Sequence, residues 1–359
     1  MTEIRGAVCH AFGEPLRIET VRLRAPGPGE VEVTLTACAI CHSDITYIDG
    51  GWGGDLPAVY GHEAAGHVSR AGAGVTRYSE GDRVLVTLIR ACGTCAACAS
   101  GRPTLCAAPP AMAPVLALPD GRPIDQGLNC AAFAERVVVH ESQLAPVPAE
   151  IPLDSASLLS CGVITGLGAA VNTAAIRPGE VVTVIGAGGV GLNAIQGARL
   201  AGAARIVAVD MSAEKLAAAR DFGATDGVLA TDPRPWAKAR EIAGRGADVV
   251  LVTVGAIPAY DAAPRYLAAG GRLVAVGMPH SGQRSAWEPV ILAATGQRIL
   301  GSFMGGTVLA RDIPWIADLC AQGRLKLGEL ISGRWTLDEI NAAIADTRSG
   351  AARRNIVRF

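Results

Sequence analysis

Two hydrophobic patterns divide the chain near residue 163. Before that position, apolar and polar residues alternate over 31–36, as in a half-buried strand, and the runs 83–86 and 136–139 predict further strands. Dense glycine and proline punctuation, for example at 26–29, separates such runs. The first part of the chain is therefore predicted to form an irregular, antiparallel, β-rich domain.

Beyond residue 163, continuous apolar runs alternate with helical patterns. Such runs are typical of strands buried on both faces, and they occupy 181–185, 205–209, 248–252 and 272–276. Helices are predicted over 190–203 and 212–222, and Gly223 is the expected stop of the second helix. Strands that alternate with helices favour the α/β class, with a parallel, doubly wound sheet.

The last part of the chain returns to short helices. One is predicted over 311–322, and Thr336 to Glu339 forms a capping box that opens another, which ends near Gly350. The final residues 355–359 predict an edge strand. The proline-rich stretch 107–129 has little pattern and is expected to be a long surface loop.

Composition narrows the class of protein. A chain of 359 residues is too long for one ordinary core, so two domains are expected. The net charge of -1 favours neither nucleic acid nor anionic membranes as partners. No apolar run is long enough to span a bilayer, and the first residues lack the layout of a secretory signal. With four of ten cysteines in one cluster, we expect a cytoplasmic, metal-binding protein.

A glycine-rich motif follows the first apolar run and opens a predicted helix. It reads Gly186-Ala187-Gly188-Gly189-Val190-Gly191, and Asp210 ends the next strand about 20 residues later, as in a dinucleotide-binding fingerprint. Gly186 permits the tight turn, Gly188 the approach of the pyrophosphate and Gly191 close packing of helix on strand. Asp210 would bind the ribose hydroxyls and repel a 2′-phosphate, so NAD is favoured over NADP. The alternative is a glycine-rich turn that binds nothing.

Four cysteines form a local cluster: Cys92, Cys95, Cys98 and Cys106. Two-residue gaps suit a tetrahedral ion, and four thiolates would close its shell, so the interpretation is a structural zinc site. An iron–sulfur cluster and four reduced cysteines without a metal are the alternatives. An iron–sulfur run usually ends in a proline after its last cysteine, whereas Ala107 follows Cys106.

A second candidate metal site combines Cys41, His62 and Cys161. Two thiolates and one imidazole can hold zinc and leave one position open for a substrate oxygen. Asp44 is expected to hold the far imidazole nitrogen of His62, and Glu63 lies beside that ligand. A lone cysteine or histidine is more often a core residue, and that interpretation is given to Cys9, Cys38, Cys130, Cys320, His10, His67, His140 and His280.

Together these motifs resemble the zinc-containing medium-chain alcohol dehydrogenases over nearly the whole chain. The matching pieces are Cys41-His42-Ser43-Asp44, Gly61-His62-Glu63, the four-cysteine cluster, Cys161-Gly162-Val163-Ile164-Thr165-Gly166 and the glycine motif. The resemblance implies a GroES-like catalytic domain over 1–162 with the structural zinc lobe at 91–107. It also implies a Rossmann NAD-binding domain over 163–303 and a C-terminal return to the first domain over 304–359.

The resemblance also assigns roles to residues. Cys41, His62 and Cys161 would ligate the catalytic zinc, with Glu63 behind the metal, and Ser43 would accept the proton from the alcohol as an alkoxide forms on that zinc. Arg354 would reach both the cofactor pyrophosphate and an acidic group around the metal ligands. The other expected cofactor contacts are His42 at the pyrophosphate, Thr165, Val190 and Val276 at the nicotinamide, Gly186, Gly188, Gly189 and Gly191 in the turn, and Asp210 and Lys215 beyond it.

One departure concerns the proton relay. Many relatives have a histidine five residues after the first cysteine ligand, and this chain has Thr46 there. A threonine hydroxyl cannot act as a base near neutral pH, so the relay is expected to end at Thr46 or at water. Trp52 and Met304 are candidate walls of an apolar substrate pocket.

The function implied is hydride transfer between a primary or secondary alcohol, or its carbonyl product, and NAD. The alternative within the family is oxidation of an S-hydroxymethyl-thiol adduct of formaldehyde. A zinc-dependent regulatory protein is disfavoured because the cysteine lobe is nearly uncharged. A zinc-free quinone reductase is disfavoured because such relatives usually lack both cysteine sets. The long loop at 107–129 suggests a homodimer, with a homotetramer as the alternative.

Overall fold

The computed structural model describes residues 1–359. The chain divides into two compact units. Unit 1 contains Met1–Cys161 together with Val308–Phe359, and unit 2 contains Gly162–Thr307.

Eighteen strands form three sheets. In chain order they are β1 (Thr2–Cys9), β2 (Arg17–Leu23), β3 (Glu30–Ala39), β4 (Ala58–Val59), β5 (Glu63–Ala71), β6 (Arg83–Thr87), β7 (Leu116–Ala117), β8 (Pro123–Gln126), β9 (Arg136–His140), β10 (Leu144–Pro146), β11 (Val181–Ile185), β12 (Arg205–Asp210), β13 (Asp226–Leu229), β14 (Ala247–Val252), β15 (Leu267–Ala275), β16 (Arg298–Gly301), β17 (Ile331–Thr336) and β18 (Arg354–Arg358).

Eleven α-helices accompany the strands. They are α1 (His42–Ile48), α2 (Ala96–Ala99), α3 (Leu153–Ala156), α4 (Gly162–Gly168), α5 (Gly189–Leu200), α6 (Ala213–Asp221), α7 (Pro235–Ala243), α8 (Ile257–Ala262), α9 (Pro289–Thr295), α10 (Leu309–Ala321) and α11 (Ile340–Ser349). No single helix is long and apolar enough to cross a membrane, although the bent pair Leu153–Ser160 and Gly162–Thr173 meets the length and composition requirement when taken together.

Unit 1 is built from a small barrel and a second, larger sheet. The barrel closes in the order β1-β2-β7-β8-β4, and closure leaves none of its strands as an unpaired edge. The second sheet runs β10-β6-β5-β3-β18-β17, with β9 also paired to β3. The predicted strands at 31–36, 83–86 and 136–139 are confirmed as parts of β3, β6 and β9. Most pairs are antiparallel, as expected, but β4–β8 and β17–β18 are parallel.

Unit 2 contains a six-stranded sheet in the order β13-β12-β11-β14-β15-β16, and all its neighbouring strands are parallel. Every residue of β11 is buried, as the continuous apolar run predicted. The side chain of Ser212 caps α6 by accepting from the amide of Lys215. Gly223 follows the end of α6 with φ +116, a conformation that favours glycine. The predicted parallel α/β sheet is confirmed.

Two predictions about unit 1 are wrong. The C-terminal strand β18 is not an edge strand, because it lies between β3 and β17. Arg354, its first residue, is buried and paired with Glu63. The stretch 107–129 is not simply a surface loop, because it contains β7 and β8 of the barrel. Strands as short as β7 are too brief to show a periodic pattern.

Candidate functional site

The residues of the predicted catalytic metal site lie together within unit 1. One ligand atom from each of Cys41, His62, Glu63 and Cys161 lies within 4.8 Å of all the others, and all four residues are buried. Cys41 immediately precedes α1, His62 precedes β5, and Cys161 is the last residue of the first segment of unit 1. Residues far apart in sequence thus form one compact donor set of two sulfurs, one nitrogen and one carboxylate.

Asp44 organises this donor set. Its fully buried carboxylate accepts from Nδ1 of His62 at 2.8 Å and from the backbone amides of Cys41 and Gly61, each at 3.0 Å. These contacts fix the imidazole with Nδ1 toward Asp44, so Nε2 is the atom left for the donor set. Sequence analysis quoted Gly61 in its motif but gave it no role, and its φ of +93 and close approach to the backbone of Phe133 exclude a side chain there. A glycine directly before the His-Glu pair was the available signal.

The donor set fits a bound cation. Nε2 of His62 is buried and has no hydrogen-bond partner. Burial alone would lower the pKa of His62, but the carboxylate of Asp44 and the thiol of Cys41 together outweigh burial and raise the pKa. The site therefore favours positive charge at Nε2, and two thiol sulfurs beside an imidazole nitrogen are ligands that zinc prefers.

The thiols of Cys41 and Cys161 shift each other's pKa in opposite directions. The hydrogen bond between them lowers the pKa of Cys41 and raises that of Cys161, and burial opposes the fall at Cys41 and adds to the rise at Cys161. Coordination to a divalent cation deprotonates thiols outright, so the pair suits a metal.

Glu63 and Arg354 form a buried ion pair beside the donor set. Burial raises the pKa of Glu63 to about 7, although Arg354 partly offsets this effect. The predicted contact of Arg354 with an acidic group is therefore present in the structure. Its contact with a cofactor pyrophosphate stays a prediction.

The predicted relay residues lie on α1. His42 is exposed, while Ser43 and Thr46 are half-buried. The hydroxyl of Thr46 donates to the carbonyl of His42 at 2.9 Å, so its proton is already engaged within the helix. The Thr46 oxygen can still accept a hydrogen bond from another donor, but it cannot take up a proton as a base.

The four-cysteine lobe is assembled as predicted. Ligand atoms of Cys92, Cys95, Cys98 and Cys106 lie within 4.8 Å of one another, and none of these cysteines forms a disulfide. The amide of Cys95 donates to the sulfur of Cys92, and the amide of Cys92 donates to the sulfur of Cys106, each at 3.3 Å. Such donors lower the pKa of Cys92 to about 6. Four sulfurs with amide support fit a closed, structural zinc site.

The glycine motif of unit 2 has the geometry that the fingerprint requires. Gly186 has φ +95, and a Cβ on Gly191 would lie 1.8 Å from the carbonyl oxygen of Gly186. A Cβ on Gly188 would meet no protein atom within 4 Å, so open space faces the turn there. Gly189 begins α5, whose amides face the same turn. The turn thus offers a cradle for a pyrophosphate at a helix N-terminus.

The other predicted cofactor residues also lie in unit 2. The carboxylate of Asp210 ends β12 and accepts from the amides of Ala187 at 2.7 Å and Ser212 at 3.0 Å. Val190 is half-buried at the start of α5, and Lys215 is half-buried in α6. Buried Thr165 and Val276 lie in α4 and directly after β15, respectively.

The remaining predictions have mixed outcomes. Cys9, Cys38 and Cys130 are fully buried, which confirms their interpretation as core residues. That interpretation is wrong for His67 and His280, which are both exposed. His67 lies on the outward-facing side of β5, and His280 lies in the segment that follows β15. A further set is half-buried, namely Cys320, His10 and His140.

The two candidate pocket walls are held in different ways. Trp52 packs edge-on against Tyr47, with ring centroids 5.1 Å apart. Met304 is buried and has φ +50, an uncommon conformation for a residue with a side chain. Their role as walls of a substrate pocket stays a prediction.

Comparison with known proteins gives consistent matches over the chain. Residues 27–149 match the family model described as alcohol dehydrogenase GroES-like domain, and residues 189–322 match that described as zinc-binding dehydrogenase. An NDMA-dependent alcohol dehydrogenase from Amycolatopsis methanolica is 34% identical over 98% of both chains. An S-(hydroxymethyl)glutathione dehydrogenase from Escherichia coli is 35% identical over 99% of both. The crystal structure of an alcohol dehydrogenase zinc-binding domain protein from Burkholderia ambifaria superposes with a TM-score of 0.95, at 34% identity over 100% of this chain and 99% of that one.

Proposed function

Because the chain belongs to the zinc-containing medium-chain dehydrogenase/reductase family, we propose that it is an NAD-dependent alcohol dehydrogenase. Its substrate is a primary or secondary alcohol, or the corresponding aldehyde or ketone in the reverse direction. Two zinc ions are proposed for each chain, one at Cys41, His62 and Cys161 and one at the four-cysteine lobe.

One observation carries this proposal. In the catalytic donor set, Nδ1 of His62 is hydrogen-bonded to Asp44, while Nε2 on the other side of the ring is buried without a hydrogen-bond partner. A structural site would use four protein ligands, as the cysteine lobe offers. Three ligands of the cysteine and histidine type leave a coordination position for substrate, and Glu63 is a carboxylate already paired with Arg354.

The protein's own groups have defined tasks in this reaction. Bound zinc supplies a Lewis acid that polarises the substrate oxygen, and bound NAD supplies the hydride acceptor. Asp44 holds the His62 ring in one orientation and keeps Nε2 directed at the donor set. The hydroxyl of Ser43, in the first turn of α1, would relay the substrate proton by accepting it while releasing its own proton to Thr46 or to water. Arg354 holds Glu63 in place and balances its charge inside unit 1.

The proposal favours NAD over NADP because of Asp210. Its carboxylate is held by two backbone amides at the end of β12, which is where a ribose hydroxyl would be bound. A 2′-phosphate at that position would be repelled by the carboxylate. The open space at Gly188 is the second supporting observation, since the pyrophosphate needs close approach to the backbone.

A second candidate substrate is an S-hydroxymethyl-thiol, the adduct of formaldehyde with a thiol. The similarity to the Escherichia coli S-(hydroxymethyl)glutathione dehydrogenase favours this candidate. The same donor set would bind the hydroxyl of the adduct, so the two candidates differ only in the groups that recognise the rest of the substrate.

The experiment is to follow NADH formation by the purified protein. A series of primary alcohols of increasing chain length is compared with formaldehyde plus a low-molecular-weight thiol. Turnover that rises with chain length supports a general alcohol dehydrogenase with an apolar pocket. Turnover with the adduct alone supports the second candidate, and no turnover with any of these substrates in the zinc-loaded protein contradicts both.

We also propose a homodimer, with a homotetramer as the alternative. The sequence argument for a dimer used the stretch 107–129 as a long loop, and β7 and β8 now account for part of that stretch. Size-exclusion chromatography with light scattering distinguishes the two assemblies from a monomer of 36.7 kDa.

A further inference from the structure

A short segment of unit 2 is fastened to the helix that carries Thr165. The segment is residues 302–306, and it contains Met304 in a left-handed conformation with φ +50. Such a conformation is unfavourable for a residue with a side chain and persists only where its surroundings impose it. The contacts that impose it on Met304 can be identified.

Backbone packing supplies the first constraint. Gly305 lies so close to α4 that a Cβ there would be 2.1 Å from the carbonyl oxygen of Ile164. From the other side, a Cβ on Gly168 would be 2.4 Å from the carbonyl oxygen of Gly305. The segment and the helix thus meet through two glycines, and neither tolerates a side chain.

Two polar side chains supply the second constraint. Nδ2 of Asn172 donates to the carbonyl oxygen of Gly305 at 3.1 Å, and the hydroxyls of Thr173 and Ser302 are 2.8 Å apart. Asn172 and Thr173 belong to a π-helical turn, Ala169–Thr173, that continues α4. A π turn shifts the side chains that follow it relative to an α-helix and is frequent at functional sites. Here it directs both side chains to the segment.

The result is a contact between Met304 and Thr165. The hydroxyl of Thr165 donates to Sδ of Met304 at 3.8 Å, and both side chains are buried. A thioether is a weak acceptor, so this contact cannot by itself determine where Met304 lies. Its geometry depends on the groups that hold residues 302–306. Thr165 is also the residue expected to press on the nicotinamide ring.

We propose that Asn172 and Thr173 are positioning residues that hold Met304 against Thr165 and thereby preset the surface that receives the nicotinamide half of the cofactor. This inference rests on the proposed NAD dependence. The hydrogen bonds of the pair end on residues 302–306 and not on the glycine turn at 186–191. The inference therefore predicts a larger effect on the nicotinamide half of the cofactor than on the adenosine and pyrophosphate portion.

The experiment compares two ligands, NADH and ADP-ribose, the latter lacking the nicotinamide. Their dissociation constants are measured by calorimetry for the zinc-loaded parent, Asn172→Leu and Thr173→Val. Thr295→Val is the matched control, because its hydroxyl donates to a carbonyl within α9 and does not touch 302–306. Thermal unfolding of each variant checks the fold, and Thr173→Val, which keeps the side-chain shape, carries the test alone if Asn172→Leu does not fold.

The expected result is a loss of NADH affinity of about tenfold in each variant, the equivalent of one hydrogen bond's net contribution, while ADP-ribose affinity changes less than about twofold. Equal losses for both ligands, or no loss for NADH, would overturn the inference. A parent protein that binds neither ligand would contradict NAD dependence itself. A parent that binds ADP-ribose but gains nothing from the nicotinamide would contradict only the proposed role of Asn172 and Thr173.

Discussion

Nδ1 of His62 lies 2.8 Å from Oδ1 of Asp44, and both side chains are fully buried. The same carboxylate accepts from the amides of Cys41 and Gly61, so it joins two of the proposed ligands to one acceptor. The catalytic donor set is therefore held in place by hydrogen bonds between protein groups alone. Preorganisation of this kind reduces the cost of assembling the site around the ion.

Asp44→Asn should weaken zinc binding at the catalytic site. An amide group offers only one acceptor oxygen, and its NH2 would face a backbone amide or the Nδ1–H of His62. Loss of a carboxylate behind a metal-ligating histidine typically costs about 10- to 100-fold in metal affinity. Metal analysis after dialysis against graded chelator concentrations measures the effect. Asp120→Asn, an exposed change, is the control, and equal zinc retention in both variants would contradict the role of Asp44.

Two glycine substitutions in the dinucleotide turn should differ in their effects on stability and on NADH binding. Gly188→Ala should leave the melting temperature unchanged but weaken NADH binding by about tenfold or more, because its methyl group meets no protein atom within 4 Å and enters the space of the pyrophosphate. Gly191→Ala should cost about 1–3 kcal/mol of unfolding free energy, because its Cβ would lie 1.8 Å from the Gly186 carbonyl oxygen. Thermal unfolding and NADH titration separate the two. Unchanged NADH affinity in Gly188→Ala would contradict the cradle.

Asp210→Gly should relax the preference for NAD. Removing the carboxylate removes the repulsion of a 2′-phosphate, and the ratio of kcat/KM for NAD to that for NADP should fall by about tenfold, or about 1.4 kcal/mol. The ratio is the proper measure because the amides of Ala187 and Ser212 also lose their acceptor. That loss should lower the kcat/KM for both cofactors. Asp226→Asn, at the start of β13, is the control. A variant that still discriminates as strongly as the parent would show that Asp210 is not the selector.

Protonation of the Asp154 carboxylate should make the protein less stable in acid. Burial alone would raise the pKa of its carboxyl, but hydrogen bonds from Arg358 and Arg334 outweigh burial and lower it. A lowered folded-state pKa means that the stabilisation is complete above the unfolded value of about 3.9 and is lost as pH falls toward the folded value. Both arginines are about half exposed, so the expected contribution is only about 1 kcal/mol.

The measurement is urea unfolding of the parent and Asp154→Asn from pH 7 down to pH 3. The stability difference should stay constant between pH 7 and pH 5 and should shrink below about pH 4. A difference in unfolding free energy that grows as the pH falls would contradict a lowered pKa for Asp154. Asp82→Asn, an exposed carboxyl in a turn of unit 1, serves as the control.

The sequence predicted local features well and distant ones poorly. The cysteine lobe and the glycine turn could be predicted because each lies within a few residues, where spacing determines geometry. The ion pair between Glu63 and Arg354 joins residues 291 positions apart, and only the family resemblance suggested it.

The errors have the same physical origin. The prediction of β18 as an edge strand was wrong because its pairing with β3 joins opposite ends of the chain and leaves no local pattern. β7 was missed because a two-residue strand has no period. The contacts of Asn172 and Thr173 were also missed, because a π turn and a left-handed Met304 leave no pattern in the sequence.

The most direct test of the proposed function compares the parent with Cys41→Ser. NADH formation from a primary alcohol, NADH binding and zinc content are measured on the same preparations. Cys41→Ser should lose turnover by at least about a thousandfold, because a Lewis acid and its orientation are lost, and should retain NADH affinity and the zinc of the cysteine lobe. Near-parental turnover in Cys41→Ser would contradict the assignment of the catalytic zinc to Cys41, His62 and Cys161.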